Sequence, residues 1–259
     1  MTTTNPTVKN AWRIGGSLLA VAALGFGTVN TVTVLGHRKE TVVTVVDQPV
    51  STLDVSGDGK VQVIGGDVSE ITVTAEIDHG IRETQHSVDV EGDRLVVRSS
   101  CPIFLTSFCH VGYTIEVPAD IDVVVHSDNG SVAITDVIGS IDAQSDNGEL
   151  RIEGGTGELT LDSDNGSIEA SGLEASTVFA RSDNGRIELD FAAAPRSVDV
   201  SSSNGSVDVV VPQGSGPYVV DADSSNGSVD TLVRTDPDAE RSIRAHSSNG
   251  DVRVRDPGG

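Results

Sequence analysis

Four aspartates, Asp128, Asp146, Asp164 and Asp183, recur inside identical Ser-Asp-Asn-Gly tetrapeptides, and their type and spacing make them the first candidates for chemistry in this chain. Held in register on neighbouring β-strands about 4.8 Å apart, adjacent carboxylates repel by roughly 0.9 kcal/mol in water before salt screening. A calcium ion between them would relieve that repulsion, since calcium takes carboxylate and backbone oxygens together. Two features oppose a metal ladder. Glycine-rich calcium-binding solenoids carry an aspartate about every nine residues, whereas these recur every 18 or 19. Ser203, Ser225 and Ser248 also hold the same position in three Ser-Ser-Asn-Gly copies, so the turn does not depend on a carboxylate. The expectation is therefore solvated aspartates that support a turn, with calcium as the alternative and no cofactor implied.

The other reactive residue types form no recognised constellation. The histidines are scattered, and His126 and His246 fall at outward positions beside the turn serine. A serine nucleophile needs a histidine base and an oxyanion hole, but serine recurs here as one member of a ladder. No phosphate-cradling or dinucleotide-binding glycine motif occurs. These readings predict a non-enzymatic protein. Cys101 and Cys109 close the short segment CPIFLTSFC in an otherwise cysteine-free chain. They read as a local disulfide in an oxidising compartment, because a redox motif or a zinc site would need other spacing and more ligands.

The elements that carry these residues follow from the repeat itself. Seven Asn-Gly corners recur at intervals of 18 to 23 residues: Asn129-Gly130, Asn147-Gly148, Asn165-Gly166, Asn184-Gly185, Asn204-Gly205, Asn226-Gly227 and Asn249-Gly250. Aligned on the corner, four columns are apolar. Around the third corner, for example, they hold Leu159, Leu161, Ile168 and Ala170, and Thr231 is the one exception among the 28 positions. Spacing by two on both sides of a fixed turn is the period of a strand with one face buried. Asn-Gly is expected to provide backbone at positive φ. The leading serine falls in phase with the inward columns, where its hydroxyl can bond backbone amides, and the asparagines can stack into a side-chain ladder.

A unit repeated in register predicts an all-β parallel β-helix (a β-solenoid) of about seven regular rungs, each strand pairing with its counterpart one coil on. The crossover rule favours a right-handed coil, and an antiparallel array of hairpins is the competing topology. All variation in spacing lies in the connections opposite the corners, which lengthen toward the C-terminus and are longest at 210–219 and 232–242. Such loops mark either a binding face or tolerated surface insertions.

Composition bounds the rest. The net charge of −22 argues against nucleic acid and against docking on an anionic membrane surface. Residues 14–36 form an uncharged apolar run flanked by Lys9, Arg13, Arg38 and Lys39. That length suits one transmembrane helix, with a cleaved signal peptide as competitor, and the basic flanks place the C-terminal domain outside the cytoplasm. The chain divides into a cytoplasmic tail at 1–13, an anchor at 14–36, a linker at 37–50, an irregular β segment with a first rung at 51–120, and regular solenoid at 121–256. Within the irregular segment, Leu53, Val55, Gly57, Asp58, Gly59, Val61 and Val63 imitate the repeat.

The seven corner units, CPIFLTSFC followed by YTIEVP, and the N-terminal apolar run together resemble a bacterial family of unknown function classed as candidate adhesins. These are β-strand-repeat proteins related to the head GIN domains of autotransporter adhesins. The resemblance spans roughly residues 40–255. It implies a β-solenoid displayed at the cell envelope and carries over no catalytic residue. Some relatives are linked to envelope-stress responses. The expected function is a membrane-anchored, extracytoplasmic, adhesin-like module that binds a protein or cell-surface ligand. The alternative is an envelope-stress component that binds cationic peptides or a signalling partner through its acidic surface.

Overall fold

The computed structural model describes residues 38–79, 84–100 and 110–258, and every regular element among them is a strand. The N-terminal part contains β1 (Arg38–Val46), β2 (Thr52–Gly57), β3 (Val61–Gly66), β4 (Ile71–His79), β5 (Gln85–Glu91), β6 (Arg94–Ser100) and β7 (His110–Pro118). The regular repeats contribute β8 (Asp122–Ser127), β9 (Val132–Thr135), β10 (Ile141–Ser145), β11 (Leu150–Glu153), β12 (Leu159–Ser163), β13 (Ile168–Leu173), β14 (Thr177–Ser182) and β15 (Ile187–Phe191). The chain continues through β16 (Ser197–Ser202), β17 (Val207–Val210), β18 (Val219–Ser224), β19 (Val229–Leu232), β20 (Ser242–Ser247) and β21 (Val252–Arg255).

Each rung is one strand, a tight corner and a second strand. Strands before the corner stack into one sheet and strands after it into another, and the two sheets face each other across the core. Pairing between rungs is parallel and in register, as in Ile141↔Leu159 and Leu150↔Ile168, so the hairpin topology does not occur in the regular part. The inward columns are apolar and almost wholly buried: Val123, Ile141, Leu159, Val178 and Val198 from one sheet, Val132, Leu150, Ile168, Ile187 and Val207 from the other. A Val, Leu or Ile buried this fully contributes roughly 1.5–3 kcal/mol. The contribution comes only when a neighbouring rung covers it.

At both ends the spatial order departs from the chain order, which corrects the expectation that each strand pairs one coil on. The first sheet runs β18-β20-β16-β14-β12-β10-β8-β2-β6-β5 and the second runs β1-β4-β7-β3-β9-β11-β13-β15-β17-β21-β19. The rung β20–β21, later in the chain, therefore sits between β16–β17 and β18–β19. Likewise β2–β3 sits between β6–β7 and β8–β9.

Outward charge accounts for the C-terminal order. Stacked in chain order, β18–β19 would set Asp221 on Asp199 and Asp230 on Asp208. The inserted rung instead places Arg244 opposite both Asp199 and Asp221, and Arg253 opposite both Asp208 and Asp230. Arg244 lies 3.7 Å from Asp199, Arg253 lies 3.6 Å from Asp230, and Arg255 grips the buried Asp208 with two 3.2 Å bonds. The two longest connections are the ones that skip a rung and turn back. They bond to each other through the Tyr218↔Thr235 bridge, and Tyr218 is completely buried. Their length thus has a topological origin.

Antiparallel strands close the N-terminal end: β4 on β7, β1 on β4, and β5 on β6 through a turn at Gly92, whose φ is +70°. The run at 14–36 and the Cys101–Cys109 pair lie outside the described residues. Cysteine pairs will check the rung order. In a Cys101→Ser, Cys109→Ser background, Asp199→Cys with Arg244→Cys is expected to form an intrachain disulfide, since paired strands lie about 4.8 Å apart. Asp199→Cys with Asp221→Cys, two steps or about 9.6 Å apart, should stay reduced. Mass spectrometry distinguishes the two outcomes, and the reverse pattern would restore the chain order.

Candidate functional site

The corner edge gathers the residues that the repeat singles out. The serine that ends each pre-corner strand points inward, and its Oγ accepts from the glycine N–H three residues on, at 2.8 Å for Ser145 with Gly148 and 2.9 Å for Ser163 with Gly166. The same hydroxyl donates to the preceding rung's glycine carbonyl, at 3.1 Å from Ser182 to Gly166 and 2.8 Å from Ser247 to Gly205. One small hydroxyl therefore closes its own turn and ties it to the next rung.

The asparagines form a continuous chain of side-chain bonds running Asn129, Asn147, Asn165, Asn184, Asn204, Asn249, Asn226, each link between 2.9 and 3.1 Å. Each later asparagine also donates to a main-chain carbonyl one rung back, for example Asn165 to Asp146 at 3.1 Å. This needs two donors and an acceptor on one short side chain; ionised aspartate has no donor and serine has only one. The preceding position, second in the tetrapeptide, makes no such demand and is Asp in the first four corners and Ser in the last three.

None of the seven corner glycines takes a φ in the left-handed region, which corrects the expectation that Asn-Gly is there for positive φ. The glycines answer to crowding between rungs. A Cβ on Gly166 would fall on the carbonyl of Gly148, and one on Gly148 would fall on the carbonyl of Gly130. At the C-terminal end a Cβ on Gly250 would meet the carbonyl of Gly205, and one on Gly227 that of Gly250, following the spatial order.

The four candidate aspartates line the rim of this edge, and two of them pair with a residue two positions back. Asp128 lies 3.2 Å from His126, and Asp183 lies 3.3 Å from Arg181. No cluster of three or more His, Cys, Asp or Glu side chains that could hold a metal occurs among the described residues. Asp58 sits at the corner between β2 and β3, the one that imitates the repeat and is one residue shorter than the regular corners. Burial raises its pKa, and a hydrogen bond and charge repulsion from Asp128 raise it further. At the closed end, His86 Nδ1 meets the Tyr113 hydroxyl at 3.1 Å across the core. Burial pushes the histidine pKa down and the tyrosine pKa up.

Beyond the corner, a groove of about 530 Å³ on the outer face near the N-terminal end is lined by Lys39, Lys60, Glu76, Asp78, His110 and Thr114 among others. Lys39 and Asp78 are paired there at 3.5 Å. The other outer faces carry ion pairs between rungs, such as Arg151 with Glu169 at 2.8 Å. The outer faces of the stack are thus charged, with ion pairs linking neighbouring rungs.

No curated protein matches this chain. The profile of the Toastrack DUF4097 family matches residues 9–255. The chain belongs to the Toastrack family. Among solved structures, a candidate adhesin from Bacteroides fragilis is 16% identical with a TM-score of 0.51, the alignment covering 84% of the Toastrack chain and 97% of that chain. A candidate adhesin from Parabacteroides distasonis is 11% identical (84% and 97% covered, TM-score 0.43). A candidate lipid-binding protein from the same species is 14% identical (84% and 97% covered, TM-score 0.40). The Bacteroides likeness supports the all-β architecture of this Toastrack domain.

Two outcomes are expected at the corner. Gly166→Ala should destabilise the domain by about 3 kcal/mol, because main chain from two rungs must separate. Asp164→Ser should stay within about 0.5 kcal/mol. Thermal unfolding with and without calcium measures both, and a midpoint that rises with calcium only when Asp164 is present would make the rim a metal site. The second outcome concerns Asp58. Its raised folded-state pKa means that the charged form is disfavoured in the native state, so its penalty is full at neutral pH. The penalty fades as pH falls through that raised value toward the ordinary 3.8. Asp58→Asn should therefore raise the melting temperature at neutral pH and lose that advantage near pH 3. An advantage that persists in acid would assign the effect to packing instead.

Proposed function

We propose that this Toastrack chain is a non-enzymatic binding module, held at the membrane by residues 14–36 and displayed on the outer side. The observation that carries this reading is the C-terminal end of the stack, where the parallel strands β18 and β19 leave their outer edges unpaired and Val229 exposed, whereas the antiparallel strands β1 and β5 form the edges at the other end. Unpaired strand edges are docking templates in folded proteins. The apolar run and its basic flanks support the anchor, and the Bacteroides neighbour, itself a candidate adhesin, supports the adhesin-like role. No helix long and apolar enough to cross a membrane occurs among the described residues, which do not include 14–36.

The net charge of −22 favours a second reading, in which an envelope-stress component receives a cationic peptide or signalling partner on its acidic surface. Display is tested first. Protease added to intact cells should digest the domain from residue 40 onward. A domain that survives on intact cells and is digested only after lysis would place it inside and sink the proposal.

A further inference from the structure

At the open end, the parallel register fixes which backbone groups of β18 are free. Val219 N–H bonds the Arg241 carbonyl and Ser225 N–H bonds the Ser247 carbonyl, so odd-numbered residues face β20. The N–H and C=O groups of Val220, Ala222 and Ser224 then point away from the stack, where no strand pairs. The core is uncovered at the same place. Val229 on β19 of the facing sheet, whose counterparts in the other rungs are buried, is 41% exposed.

Charge states what fits there. Outward residues alternate in sign at this end of the sheet: Asp199 on β16, Arg244 on β20, then Asp221 on β18, with Asp223 beside it. His246 reaches Asp223 at 3.4 Å from the inner side, while the outer side of β18 has no strand to continue the pattern. The chain's own β20, SIRAHS, shows what seats against such a strand: apolar residues inward, basic residues outward. A second copy docked end to end would set these aspartates against themselves, and β5 at the other end brings Asp89 and Glu91. Neither is complementary.

We infer that the β18 edge is the binding site of the module, and that it takes an extended partner segment in which basic residues alternate with apolar ones. The segment adds as one more strand: its backbone bonds Val220, Ala222 and Ser224, its apolar side chains cover the exposed end of the core, and its basic side chains lie over Asp221 and Asp223. This inference rests on the binding-module reading and names the site and the partner chemistry.

The test uses the purified full chain in mild detergent and a fluorescent heptapeptide, Thr-Val-Arg-Val-Arg-Val-Thr, read by anisotropy. The peptide should bind, and binding should weaken as salt rises. Ala222→Pro removes one outward N–H without breaking a bond to β20, a change that an edge strand tolerates. It should weaken binding at least about tenfold while the melting temperature holds, and Asp223→Lys should weaken it by a similar factor. The same peptide with glutamate in place of arginine should not bind. Equal binding to the folded Ala222→Pro chain, equal binding to Asp223→Lys, or binding of the glutamate peptide overturns the edge assignment, as does no binding at low salt. Because the assay runs in solution, each of these results leaves the display experiment to decide the module reading separately.

Discussion

Successive corner glycines lie so close that each one's Cα faces the carbonyl of the glycine one rung back, with no room for a Cβ between them. That approach brings the serine hydroxyls and asparagine amides into bonding distance. A residue with a side chain at this point would hold adjacent rungs apart on the corner side while the strands still paired at about 4.8 Å. The serine, asparagine and apolar columns could then not all remain in register. Polar bonding at the edge and dry packing in the core are thus satisfied by one spacing.

The corner specifies how rungs stack but not which rung follows which. Every rung carries the same inward pattern and the same edge, so each is acceptable on any other. Order at the C-terminal end comes from the outward faces, where Arg244 and Arg253 lie between acidic neighbours and Arg255 bonds Asp208. Single exposed pairs of this kind contribute little. Here they act together, and Asp208 is buried against Arg255, where removal of either partner is more expensive.

This division explains what could be read in the sequence. The inward columns and the corner are local and periodic, so the two-sheet parallel stack was legible from positions such as Leu159, Leu161 and Ile168. Rung order was not legible, because it depends on charges such as Arg253 and Asp230 that pass for ordinary outward polar residues until their neighbours are known. Gly166 was legible as indispensable but for another reason. Asn-Gly usually signals a turn with positive φ, whereas a close approach between distant segments leaves no local mark. Asp58 was legible as part of a corner that imitates the repeat, but its approach to Asp128 was not, because that corner is one residue short and its register against the next rung shows only in three dimensions.

The inserted rungs also bear on how the chain acquires its shape. A simple solenoid can grow coil by coil from one end, each finished coil serving as template for the next. Here residues 219–232 leave the chain's growing end before the coil that they rest on exists. Against β16–β17 they meet matching negative charge, so that seat is less favourable than the one 242–255 later provides. The last two coils are therefore expected to close together, the final one serving as the seat of the one before it.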